Sequence, residues 1–113
     1  MSRVALTDGS GAWFDTKAAV LFKEDTNWDG RNQISVPTGS QWEHEYLYYT
    51  KSGKWILNDW SNYRGRLEGY KQISEEEAIK WMIQNRCFER DELASLPKNV
   101  QDAVKAGFAA AEI

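Results

Sequence analysis

The chain has 113 residues, a formal net charge of -3 and a sequence pI near 5.2. That length fits a single domain over 1–113 with one core, and the acidic balance disfavours nucleic acid as a partner, because a generic binder needs a positive field to displace phosphate counterions. No apolar run of about eighteen residues predicts a membrane span. The single cysteine, Cys87, excludes an internal disulfide framework, and no apolar stretch follows Met1-Ser2-Arg3-Val4 as a secretion signal would require. These features favour the cytoplasm. Mean hydropathy is -0.67, yet 13% of residues are aromatic, with six Trp, so a few large rings can build a dense core. Basic residues sit beside acidic ones, as across 86–92, which reads as a solvated surface of mixed charge.

In chain order, Arg3 to Asp15 reads as a hairpin turning at Asp8-Gly9-Ser10-Gly11. The continuous apolar run Ala18 to Phe22 fits helix or buried strand by periodicity. The two alanines and a cap at Asp15 or Thr16 tilt the reading towards a short helix across Lys17 to Lys23. Asp25 to Ser40, rich in Asp, Asn, Gly, Ser and Thr, reads as a long loop, and long ordered loops are often functional. Trp42–Thr50, Lys54–Trp60 and Arg66–Ile73 read as an antiparallel meander, with Gly53 at the left-handed position of the first turn. Pairing Thr50 with Lys54 sets Tyr49 opposite Trp55, Leu47 opposite Leu57 and His44 opposite Trp60. The odd-numbered face is then the more apolar, so helices are expected on it and a partly exposed aromatic surface on the other. Ser74-Glu75-Glu76-Glu77 is a capping box opening a helix with Ala78, Ile79, Met82 and Ile83 on its apolar stripe and Trp81 at the margin. Glu89 to Ser95 is a candidate short helix. Pro97 opens the last helix, along which Val100, Val104 and Phe108 recur every four residues. The fold class is therefore α+β: an antiparallel β-meander with an N-terminal β-hairpin, packed against C-terminal α-helices.

Three groups carry candidate chemistry. Asp25-Thr26-Asn27-Trp28-Asp29-Gly30 matches the opening of a calcium loop, with oxygen donors at Asp25, Asn27 and Asp29 and the glycine that a sharp turn needs. The pattern fails where Asn32 replaces an aliphatic and Val36 replaces the bidentate glutamate, so the segment is read as an Asx-rich turn and no metal or other cofactor is expected. His44 is the sole histidine; a base or metal site there would need Asp29, Glu43 or Glu45 to converge on it, and a hydrogen-bonded histidine on a sheet surface is the plainer reading. The aromatic set Trp42, Tyr46, Tyr48, Trp55, Trp60, Tyr63 and Tyr70 mostly serves packing, but so many large rings in a small chain leave some for a binding surface. The residues assigned to that surface are Trp28, Arg31, Asn32, Gln41, Trp42, His44, Tyr46, Tyr48 and Trp60. Cys87, beside Arg86 and Arg90, reads as a small buried hydrophobe.

Trp28-Asp29-Gly30-Arg31-Asn32, Ile34-Ser35, Thr38-Gly39-Ser40-Gln41-Trp42-Glu43-His44-Glu45, Leu47-Tyr48, Gly53-Lys54-Trp55 and Trp60-Ser61 together resemble a group of small uncharacterised bacterial proteins. The run from Gln41 to Glu45 is the most specific part. The resemblance brings no activity; it implies that the polar loop and the first meander strand form one unit.

The function expected from the residues is a non-catalytic protein-interaction or regulatory module that uses the aromatic-rich sheet, with another protein as partner. The alternatives are a domain that stacks a sugar or single-stranded nucleic acid on Trp and Tyr, and a small hydrolase or metal-dependent enzyme centred on His44.

Overall fold

The computed structural model describes residues 3–62, 65 and 67–112. In chain order they form β1 (Arg3–Ala5), β2 (Trp13–Asp15), β3 (Val20–Lys23), β4 (Thr26–Trp28), β5 (Gln33–Ser35), β6 (Glu43–Tyr49), β7 (Trp55–Ser61), β8 (Gly69–Ile73), α1 (Glu75–Gln84) and α2 (Lys98–Ala110). Two 3₁₀ turns, Cys87–Glu89 and Asp91–Ser95, stand between the helices where one short helix was expected. Arg90, in extended backbone at ψ 150°, interrupts them. Tyr63 and Arg66, assigned to the aromatic set and to the start of the last strand, lie outside the described residues. Among the described residues, no helix is long and apolar enough to cross a membrane.

A four-stranded antiparallel sheet in the order β3-β6-β7-β8 is the frame. Its register starts in the turn after β6. There the Thr50 N–H donates to the Lys54 carbonyl at 2.8 Å, and Gly53 takes a φ of +82° that a side chain would oppose. Tyr49 then faces Trp55, Leu47 faces Leu57 and His44 faces Trp60, as the turn chemistry predicts.

Alternation sends the odd-numbered residues of β6 and β7 to the helix layer. Leu47 and Trp55 pack there with Phe22 of β3, with Ala78, Trp81 and Met82 of α1, and with Val100 and Val104 of α2. Ser74 caps α1 as expected: its hydroxyl accepts from the Glu77 N–H at 3.1 Å, and the Glu77 carboxylate reaches back to the cap. Trp81 is buried and not marginal, because its indole N–H finds the Glu45 carboxylate at 3.1 Å.

Residues 20–23 are strand, which corrects the expected helix across Lys17 to Lys23. A helix of about seven residues is not stable alone. As a strand the segment pairs Val20 with Tyr49 and Phe22 with Leu47, and so closes what would be a bare edge on β6. Asp15 makes a local turn instead of a helix cap, accepting from the Lys17 N–H at 3.0 Å through its carboxylate and from the Ala18 N–H at 3.1 Å through its carbonyl.

The opposite face of the sheet is only partly open. The β1–β2 hairpin lies over it, and Leu6 and Phe14 form a second small core with Ile56, bordered by Tyr48 and Tyr70. Thr7 fastens this hairpin to β8 by donating its N–H to the Tyr70 carbonyl at 2.7 Å and accepting the Tyr70 N–H on its hydroxyl at 2.9 Å.

Leu47 is fully buried at the centre of the main core. Leu47→Ala is expected to cost about 3 kcal/mol in urea denaturation; a loss under about 1 kcal/mol would contradict this packing. Burial pushes the Cys87 thiol up to about 11 against the opposing charge of Arg90. At pH 8 its reaction with a disulfide dye should therefore run no faster than unfolding, whereas immediate labelling would place the thiol at the surface.

Candidate binding site at the end of the sheet

The expected loop 25–40 holds a second small hairpin. β4 pairs antiparallel with β5, setting Thr26 opposite Ser35 and Trp28 opposite Gln33. Asp29 makes the turn: one of its carboxylate oxygens accepts the N–H groups of Arg31 and Asn32, both at 2.8 Å, and that hold keeps the carboxyl below its ordinary range. Short side-chain bonds then bind the following segment to β6. The Thr38 hydroxyl donates to the Glu43 carbonyl at 2.7 Å, and the Ser40 hydroxyl accepts the N–H groups of Trp42 at 3.0 Å and of Glu43 at 3.2 Å. The polar segment and the first meander strand thus form one unit.

The joint between this unit and the sheet is Glu24. Its side chain is 5% exposed. One carboxylate oxygen accepts the Ser35 hydroxyl and the Glu45 N–H, each at 2.8 Å; the other lies 2.6 Å from His44 Nδ1. On the far side of the ring, His44 Nε2 lies 3.2 Å from the Asn62 side-chain nitrogen. An imidazole with its proton on Nδ1 satisfies both neighbours. His44 also stacks on Trp60, with ring centroids 4.3 Å apart, and Tyr46 meets Trp60 edge-on at 5.4 Å. Burial, and then the charge of Glu24, raise the Tyr46 phenol above its ordinary value. The Trp60 indole N–H is buried with no partner among the described residues.

Asp25 turns to the other layer. Its N–H donates to the buried Asn85 side chain at 2.8 Å, and its carboxylate takes Arg86 through two bonds of 2.8 and 3.3 Å. Burial works to raise the Asp25 carboxyl. The Arg86 hydrogen bond, the Thr26 N–H and the charges of Arg86 and Arg90 outweigh it and hold the group below its ordinary value. A lowered carboxyl stabilises the fold above its unfolded value of about 4, and that contribution disappears as pH falls through the folded value.

The calcium candidates do not converge. Asp25 pairs with Arg86, Asn27 sits mid-strand, and Asp29 holds the turn at the other end of β4. A strand places Asp25 and Asp29 about 13 Å apart along the chain, whereas a calcium loop folds its donors around one point. Among the described residues no three His, Cys, Asp or Glu form a metal cluster.

Of the nine residues assigned to a binding surface, the fold brings His44, Tyr46 and Trp60 into one aromatic group. Trp42 lies beside it, because the Asn62 N–H donates to the Trp42 carbonyl at 2.9 Å. Gln41 is half-buried next to Trp42, while Trp28, Arg31 and Asn32 stand exposed on the β4–β5 hairpin. Tyr48 is half-buried and lies against Phe14 of the N-terminal hairpin, with ring centroids 5.2 Å apart. Glu45, a proposed partner of His44, faces the helix layer and holds Trp81. No family model, curated protein or solved structure matches this chain.

Sequence reasoning missed Glu24, Asn62 and Ser35. A signal for Glu24 was present, since it follows Val20 and Phe22 in phase on the row that alternation buries. That signal speaks only once the segment is taken as a strand.

Removing the Glu24 carboxylate orphans two buried donors and the His44 ring. Glu24→Ala is expected to cost about 2–4 kcal/mol, with Glu24→Gln less harmful because one acceptor oxygen remains. Equal stability of Glu24→Ala and wild type in chemical denaturation would refute the bracing role.

Proposed function

We propose that this chain is a cytoplasmic, non-catalytic protein-interaction module whose contact surface is the end of the sheet around Trp42, with the β4–β5 hairpin beside it. The observation that carries this reading is the exposure of large indoles on ordered backbone: Trp42 is 43% and Trp28 63% exposed. Trp42 ends a segment that Thr38 and Ser40 bond to Glu43 of β6, and Trp28 precedes the turn that Asp29 closes. Indoles in fixed positions supply contact area at little entropic cost, which is why Trp dominates protein-binding hot spots. The Glu24–His44–Asn62 chain favours binding over catalysis, because both imidazole nitrogens are engaged in bracing.

The cavity beside Trp13 favours a second reading, a ligand domain that stacks a sugar. It encloses about 500 Å³ and is lined by Trp13, Arg3, Lys51 and the Thr50 and Ser52 residues of the meander turn. Trp13 is 57% exposed, with the Arg3 guanidinium 4.8 Å from its ring centre.

Affinity capture with immobilised wild-type, Trp42→Ala and Trp13→Ala proteins separates the two. A specific partner should be kept by wild type and Trp13→Ala. Trp42→Ala, with unchanged circular dichroism, should weaken it at least about tenfold when remeasured with purified partner. Identical capture by wild type and Trp42→Ala would overturn the proposal, and loss confined to Trp13→Ala would move the site to the cavity.

A further inference from the structure

The outer seam of the two helices carries a separate apolar groove of about 670 Å³. Ile79 and Ile83 of α1 form one wall, and Gly107, Ala110 and Ala111 form the other. Gly107 brings the helices close: a Cβ there would stand 3.0 Å from Ile83 Cδ1 and 3.4 Å from Ile79 Cγ2. Small residues on this wall leave an open channel where larger ones would fill it. A second cavity shares Ile83 and Ala111 and continues the strip to Phe108, which is 47% exposed and stacked on Phe88 at 4.0 Å. None of this surface belongs to the Trp42 region.

The rim is acidic. Glu75 and Glu76 border the groove and Glu112 borders its continuation; the one lysine of the two linings, Lys80, lies 3.4 Å from Glu76. The carboxyl-terminal end of α2 opens here with no basic residue in its last turn, so the negative end of its dipole adds to the field. Such a groove accepts the apolar stripe of a helix, and its rim selects the charges that flank that stripe. A second copy of this chain docked face to face would bring the same acidic rims together, which like-charge repulsion opposes.

We propose that the α1–α2 groove docks a basic amphipathic helix of another protein, with its apolar residues against Ile79, Ile83 and Phe108 and its lysines or arginines over Glu75, Glu76 and Glu112. The test is selection on immobilised full-length chain from a displayed library of helical peptides. The library fixes Leu at helical i, i+4 and i+7 spacing and varies the remaining positions over Lys, Arg, Glu, Asp and Ala. Enriched peptides should be net basic. Ala110→Arg, which fills the exposed wall with a cation and keeps a good helix former, should weaken them at least about tenfold without lowering the melting temperature. Glu76→Lys, on the opposite rim, should weaken them about threefold or more, with the difference shrinking at high salt. Trp42→Ala should bind them as wild type does, so this outcome is independent of the sheet-end surface. Retention of no peptide, enrichment of acidic peptides, or binding unchanged by both groove variants would overturn the proposal. So would sedimentation showing a dimer of the chain that Ala110→Arg dissociates, since the occupant would then be a second copy.

Discussion

The structure depends on one buried carboxylate. Glu24 sits where β3 ends and the β4–β5 hairpin begins, and its two oxygens take donors from β5 and β6. A carboxylate withdrawn from water is costly unless its lone pairs are filled, and here the filling donors come from three separate residues. The hairpin, the strand and the only histidine are therefore placed together or not at all. Asp25, the next residue, extends the joint to the helix layer through Asn85 and Arg86. Consecutive acidic residues thus tie the sheet to the β4–β5 hairpin and to the helix layer.

The same sheet shows how coverage selects a surface. Both faces carry aromatic rings, but the helices cover one face and the β1–β2 hairpin packs on the other around Ile56. Tyr48 and Tyr70 fall under the hairpin with Phe14, and burial raises both phenols above their ordinary value, helped by the charge of Glu68. Asn58, fully enclosed in that face, donates to the Glu68 carboxylate at 3.1 Å and the Gly69 carbonyl at 3.0 Å. What stays at the rim is the His44–Trp60–Tyr46 group with Trp42 beside it. The apolar seam between α1 and α2 lies on the helix layer, so a partner at either place would leave the other accessible.

Much of this architecture was legible. The capping box at Ser74, the turn at Thr50 to Lys54 and the pairing of β6 with β7 are local consequences of side-chain spacing and backbone preference. Burial of Cys87, Val100 and Val104 follows from helical periodicity and small size. The candidate site was legible only in part. His44 and Trp60 face each other because the turn says so, yet the group that orients His44 lies twenty residues away and outside the meander. Asp25 to Ser40 looked like loop because turn-forming residues outnumber strand formers, while the three-residue strands are held by cross-strand bonds that composition does not display.

The sequence by itself determined where the meander and the N-terminal hairpin turn, which face of the meander is apolar and where α1 and α2 begin, because each depends on residues within a few positions of one another. Tertiary structure decided that residues 20–23 are a strand, that Glu24 is the partner of His44, and that the N-terminal hairpin packs beside Tyr48 and Tyr70. These outcomes turn on which distant segment fills an unpaired edge, an unfilled lone pair or an uncovered ring, and local preference carries no information about that.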